Sequence, residues 1–250
     1  MTTASTRQWP VALLLSLTLL LLVTLSLPHW QGLFHWLQPV SKQVIYNRDG
    51  FFTLLGSHLL LVLSSGLAAS LTGIGLGLWV TRDSGRDFLP LVSTLASVGQ
   101  TFPPVAVLAL AVPALGFGFK PAFFSLLLYG LLPVVRNTIA GIQGIAPAVQ
   151  EAAQAMGMTP WQQLWQVELP MAASVILAGV RTSLIINVAT ATIGSTIGAR
   201  TLGDPIIAGL INFNLAYVVQ GALLVGLLAI SLDSLFDYLG RRLYSAAEGY

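Results

Sequence analysis

The sequence predicts an all-α integral membrane protein that crosses the bilayer about six times. Three observations carry that prediction. Of 250 residues, 11 are Lys or Arg and 9 are Asp or Glu, so 8% are charged, against roughly 25% in a soluble domain. Hydrophobic residues make up 55% of the chain and the mean hydropathy is +0.81, which leaves too little polar surface to cover a soluble globule of this size. The apolar residues also gather into runs approaching or exceeding the ~20 needed to cross a bilayer. These runs are Pro10–Leu27, Phe52–Val80, Phe88–Leu115, Pro121–Val135, Met171–Gly198 and Ala216–Leu235.

The same composition narrows the function classes. A pI near 9.2 reflects a net charge of only +2, with no cluster of Lys and Arg to neutralise phosphates, so nucleic acid is not an expected partner. The absence of Cys removes disulfides, Cys-based metal sites and thiol nucleophiles. All three histidines, His29, His35 and His58, lie in the first quarter of the chain, and there is no HExxH spacing. Ser195 after Gly194 therefore lacks an evident base, and enzyme chemistry is not expected.

Arg7 ahead of the first run resembles a secretory signal, but Leu25-Ser26-Leu27-Pro28-His29 offers no small-x-small cleavage site. The run also outlasts an h-region of about 7–15 residues. It is expected to be an uncleaved helix. The second run carries a stripe of Gly66, Ser70, Gly73 and Gly77 at helical spacing, suited to close helix packing. In the third, Pro103 and Pro104 remove two backbone donors and obstruct the carbonyls of Gly99 and Gln100. Freed carbonyls at membrane depth require protein or a wet cavity beside them, so Gln100, Thr101, Pro103 and Pro104 mark either a gate on a substrate pathway or a structural kink. The fourth run is short unless it takes in Gly116–Lys120.

Between the fourth and fifth runs, Arg136–Pro170 is neither apolar enough to span nor loop-like. Ala148–Met156 consists largely of strong helix formers behind Pro147, and Gly157 supplies a left-handed end. Thr159-Pro160-Trp161-Gln162 reads as an N-cap, a first-turn proline and a capping-box Gln. A second helix, Pro160–Glu168, is expected to stop at Leu169-Pro170. Between Asn137 and Pro170 there is no basic residue, and Glu151 and Glu168 would be repelled by anionic headgroups. This compact hairpin suits docking into a groove on another protein.

In the fifth run Gly179, Ser183, Asn187, Thr190, Gly194 and Gly198 share one helical face. That stripe serves either packing or a polar pathway, and Asn187 and Thr190 are the pathway candidates because lipid cannot satisfy their side chains. Arg181, about ten residues in, is expected to snorkel or to pair with an acid of a partner chain. Arg7, Arg82, Arg86, Arg136, Arg241 and Arg242 fall on one side of the predicted spans, against Lys42, Arg48, Lys120 and Arg200 on the other. That excess places both termini in the cytoplasm.

The hairpin carries a recognisable pattern. Glu151-Ala152-Ala153, three residues, Gly157, nine residues, Val167, one residue and Leu169-Pro170 resembles the EAA signature of ABC importer permeases, E-A-A-x3-G-x9-I-x-L-P, with Val in place of Ile. Gln100–Ala109, Leu132-Pro133, Leu177–Ser183 and Gly198–Ile206 resemble the osmoprotectant branch for glycine betaine and choline, the Yeh-type system above all. The likeness runs from about Phe52 to Leu239; the first span and His29–Gly50 match nothing in it. The resemblance implies a type I ABC importer permease fold, a single domain over residues 1–250 with a coupling loop at about 136–170. It implies a place in the bacterial inner membrane and a cargo of glycine betaine or a related osmoprotectant; the alternatives are another small solute such as an amino acid in the same machinery, or an ion-coupled secondary transporter. By the same resemblance Glu151, Ala152, Ala153 and Gly157 dock on an ATPase, while Leu169 and Pro170 join the loop to the fifth span. The implied partners are ABC ATPase subunits, a second permease subunit, identical or related, and an extracytoplasmic substrate-binding protein. No cofactor is expected in this chain. Its two lysines, Lys42 and Lys120, follow Ser41 and Phe119, so no P-loop exists and ATP belongs to the partner.

Overall fold

The computed structural model describes residues 11–99 and 101–247, with side chains through Arg242. Arg7 and Gln100, both singled out above, lie outside the described residues. The described residues are helical throughout their ordered elements: α1 (Val11–Ser26), α2 (Gln31–Leu37), α3 (Phe51–Val80), α4 (Leu89–Gly99), α5 (Pro104–Leu115), α6 (Phe119–Gln143), α7 (Pro147–Ala155), α8 (Pro160–Gln163), α9 (Leu169–Ala191), α10 (Gly203–Ile211) and α11 (Leu215–Ala247). With no water in the bilayer to satisfy backbone groups, a helix that satisfies its own is the spanning form this composition permits.

Among the described residues five helical stretches are long and apolar enough to cross, and α4 with α5 forms one further, bent pair at 103°. That pair is one broken crossing, because its two ends are pinned beside opposite ends of α9. Before α4, Arg82 is ion-paired to Glu168, immediately ahead of α9. After α5, the Gly118 amide donates to the carbonyl of Ile197, just beyond α9's far end, at 2.8 Å. The 23 residues of α9 separate those points by about 34 Å, the full apolar thickness of a bilayer.

The centre of the molecule is α3, α6 and α9, and small residues let them meet. A β-carbon on Gly77 would come within 2.7 Å of Thr138 Cβ, and one on Gly130 within 2.5 Å of Ser183 Oγ. Only glycine permits that approach of α3 to α6, and of α6 to α9. The α3 stripe is therefore packing, as its composition suggested. α1 lies outside this centre against α11, turning Leu20 and Val23 inward while most of its leucines stay exposed.

Two boundaries differ from the expectation. α6 does not stop at Val135 but runs to Gln143. The extra turns are polar in sequence yet bury one face in place: the Thr138 hydroxyl donates to the Val134 carbonyl at 2.8 Å, and Gly141 seats against Ala172 of α9. Nor does the helix beginning at Pro160 end before Pro170. It continues through a π-helical turn, Leu164–Glu168, directly into α9. Pro170 has no N–H to offer the turn behind it, and a π turn is where the chain absorbs such a mismatch without breaking the rod.

Candidate functional site

The hairpin forms as its local chemistry dictates. α7 starts at Pro147, a position that needs no amide partner. It ends on Gly157 at φ 75°, with the Met158 amide donating to Ala153 and the Gly157 amide to Gln154. That is a Schellman pattern, which requires the left-handed residue glycine supplies. Thr159 and Gln162 then close a reciprocal capping box. Glu151, Ala152 and Gly157 lie on the exposed surface, whereas Ala153 is buried within the hairpin. Leu169 packs beside Ile142, Ala172 and Ile176, and Pro170 is exposed. Beside them stand Met156, Trp161 and Trp165, all well exposed, the two indoles 5.5 Å apart edge to face.

A clamp not foreseen in the sequence fastens this hairpin to the bundle. Glu168 is 3% exposed. Its carboxylate accepts from the Arg82 guanidinium, in the turn after α3, and from Gln163 Nε2 at 3.1 Å. A buried charge persists only when paired, so Glu168 commits α3, the hairpin and α9 to one another. Opposite charges 86 positions apart carry no periodic signal by which a single sequence could reveal them.

The polar stripe of α9 lies in the packed centre. Asn187 is fully buried, its amide donating to Ser65 Oγ of α3 at 3.4 Å, and Thr190 is buried as well. Ser183 and Gly179 seat against Gly130 and Asn137 of α6. Of the two uses the stripe could serve, this conformation realises packing, and Asn187 and Thr190 border none of the hollows described below. Arg181 pairs within its own chain, donating to Asp233 at 2.7 Å and Asp237 at 2.9 Å on α11. That corrects the expectation of snorkelling or an acid from a partner chain: two carboxylates one turn apart, about five turns into the neighbouring helix, were already within reach.

At the broken span α4 stops at Gly99 and α5 restarts at Pro104, with Pro103 extended before it. Thr101 is exposed, its hydroxyl turned back to the Val98 carbonyl at 2.7 Å. The Tyr129 hydroxyl of α6 donates to the Phe102 carbonyl. A hollow of about 190 Å³ opens here, lined by Gly99, Phe102, Val107, Leu128, Tyr129 and Leu132. A second, of about 330 Å³, is lined by Pro133, Arg136, Asn137, Ala140 and Thr182. The α6 members fall four apart in two adjoining rows, 128-132-136-140 and 129-133-137, so one face of α6 borders both hollows in succession. Among the described residues no acid lines either. No spacing in the sequence marks Phe102 or Tyr129, and Arg136 was expected outside the span because the fourth apolar run ends before it.

On the opposite side from the hairpin, side-chain amides hold the segment ahead of α3 to the α10–α11 corner. Asn214 donates to the Gln43 carbonyl at 2.8 Å and Gln220 to the Val44 carbonyl at 2.6 Å. Asp204 opens α10 there. Burial lifts its carboxyl above the ordinary 3.8, and hydrogen bonds from Ser195 and the Thr201 amide only partly oppose this.

Six crossings, one of them broken beside a hollow-lined helix face, and a capped knob outside the bilayer define a multi-pass membrane transport subunit. A family model described as "Binding-protein-dependent transport system inner membrane component" matches residues 73–244, and this chain belongs to that family. It is 39% identical over 230 residues to the osmoprotectant import permease protein OsmY of Salmonella typhimurium, covering 92% of this chain and 94% of that one. It is likewise 39% identical over 201 residues to the glycine betaine/carnitine/choline transport system permease protein OpuCD of Bacillus subtilis, covering 79% and 87%. Among solved structures, an inward-facing form of the MetNI methionine ABC transporter aligns with a TM-score of 0.70 at 22% identity, over 79% of this chain and 99% of that one. That likeness concerns the fold.

Proposed function

We propose that this chain is the permease subunit of an ATP-driven importer for glycine betaine or a related osmoprotectant in the bacterial inner membrane. Two permease subunits, identical or related, enclose one pathway and stand on two ATPase subunits. An extracytoplasmic binding protein delivers the solute, ATP stays on the ATPases, and both termini are cytoplasmic. The cargo is supported by the relatives, whose names specify osmoprotectants, glycine betaine, carnitine and choline.

One observation carries the mechanism: the hairpin is continuous with α9 and clamped to α3. Glu151, Ala152 and Gly157, with the exposed Met156 and Trp161, meet the ATPase. Closure of the ATPases displaces the knob, and the unbroken Pro160–Ala191 rod carries the displacement into the bundle. Because α9 and α3 both pack on α6, the movement shifts the α6 face that borders the two hollows. The broken span beside that face gives a place to open without unfolding a whole crossing. Thr101, Pro103 and Pro104 belong to that gate. Asn187 and Thr190 contribute to it by setting how α9 seats on α3 and α6.

The test is uptake by proteoliposomes holding this permease, its ATPase and its binding protein, comparing glycine betaine, choline, carnitine and proline. ATP-dependent uptake of the quaternary amines is expected. Uptake that proceeds without ATP would overturn the coupling reading, and preference for proline would overturn the cargo.

A further inference from the structure

We infer that the hollow at the broken span is a transient binding site for the quaternary ammonium head of the transported solute, with the rings of Phe102 and Tyr129 as its cation-receiving wall. The inference deepens the proposed function and rests on its cargo.

Size is the first argument. At about 190 Å³ the hollow is below the ~300–1,000 Å³ of sites for drug-sized ligands. It is somewhat larger than the ~150 Å³ cavity that suffices for one benzene. A trimethylammonium group, apolar outside and compact, is of that order. Glycine betaine, carnitine and choline, named in the relatives, have that group in common and differ in the rest.

Chemistry is the second. A cation bearing no N–H cannot be held by hydrogen bonds, and the described lining is largely apolar: apart from the two rings it is Gly99, Val107, Leu128 and Leu132. Aromatic faces attract such a cation without a fixed charge. The absence of an acid among the described lining residues suits passage, since a carboxylate at low dielectric would hold the ion too firmly to release it. The rings are also held in position. Tyr129 is largely buried, and its hydroxyl is engaged by the Phe102 carbonyl, tying one ring to the backbone of the other. Pro103, lacking N–H, cannot give the Gly99 carbonyl at the α4 end its helical donor.

Two measurements test this in the assembled transporter. In uptake assays, Phe102→Leu and Tyr129→Leu are each expected to lower kcat/KM for glycine betaine about tenfold, within the range of a desolvated cation–ring contact. Phe102→Trp and Tyr129→Phe, which keep a ring, should lose markedly less than the Leu variants. The second measurement does not depend on ring removal. The chain has no Cys, so Val107→Cys places a single thiol in the lining, and its maleimide labelling rate is read in the purified complex. Tetramethylammonium is expected to slow labelling several-fold, while neopentyl alcohol, a neutral molecule of similar size and shape, does not. Equal slowing by both, or by neither, overturns the site, as does full uptake by the Leu variants. In those cases wild-type glycine betaine uptake still stands and the proposed function survives. Wild type that moves no quaternary amine overturns both.

Discussion

Arg82→Ala should loosen the hairpin from the bundle. Glu168 has a side chain 4% exposed and Arg82 one 31% exposed. Breaking a fully buried ion pair costs about 3–5 kcal/mol, because the remaining charge stays desolvated. Here water already screens a third of Arg82, and Gln163 continues to donate to Glu168, so roughly 2–3 kcal/mol is expected. At about 1.4 kcal/mol per decade, local opening at Leu164–Glu168 should rise about 30- to 140-fold. Amide hydrogen exchange across that π turn, measured on the purified permease–ATPase complex, reads this directly. The double variant Arg82→Met with Glu168→Gln removes both charges and should recover most of the protection, since neither partner is left ionised in the interior. Coupling should follow: binding-protein-stimulated ATPase activity falls in the single variant and returns in the double. Exchange within about threefold of wild type in Arg82→Ala, or a double variant no better than the single, would refute the clamp.

Gly157→Val should cost about 1–2 kcal/mol from the left-handed backbone alone, since nothing lies within 4 Å of a β-carbon built there. Loss of ATPase co-purification is expected, with Gly157→Asn far milder because Asn tolerates that region; undiminished co-purification of the Val variant would count against docking. Gly77→Leu should lower thermal stability by about 1–3 kcal/mol through overpacking on Thr138, read as a drop in melting temperature. Asp204 has a folded pKa above its ordinary 3.8, so the folded state binds the extra proton. Its contribution to stability is therefore fullest below pH 3.8 and declines as pH rises through the folded value. Asp204→Asn should flatten the melting profile over that window, and an unchanged slope would mean that another group titrates there.

What could be read from the sequence was whatever depends on near neighbours along the chain. The hairpin is the clearest case. Pro147, Gly157, Thr159, Pro160 and Gln162 are spaced for a first-turn proline, a left-handed end and a capping box, and the structure contains each of them. Less legible were ends set by packing. The polar turns from Arg136 to Gln143 are helical because α9 covers them, and the Pro160 helix runs on because a π turn absorbs Pro170. The candidate pathway divided in the same way. The proline pair did mark a break, whereas Asn187 and Thr190 were placed on the right face of α9 without any indication of which neighbour that face meets.

Composition and spacing by themselves determined that this chain lives in a bilayer as helices, about how many times it crosses, and where a folded knob interrupts the crossings. Those properties follow from transfer free energies and from hydrogen bonds that reach only three to five residues. Tertiary structure alone decided how each helix is rotated about its axis. That rotation turned the α9 stripe inward, brought Arg82 to Glu168 and Arg181 to Asp233, and gave the face of α6 from Leu128 to Ala140 to the two hollows. The physical reason is that a helix fixes the angle between its own side chains but not the direction in which any of them points until other helices close around it.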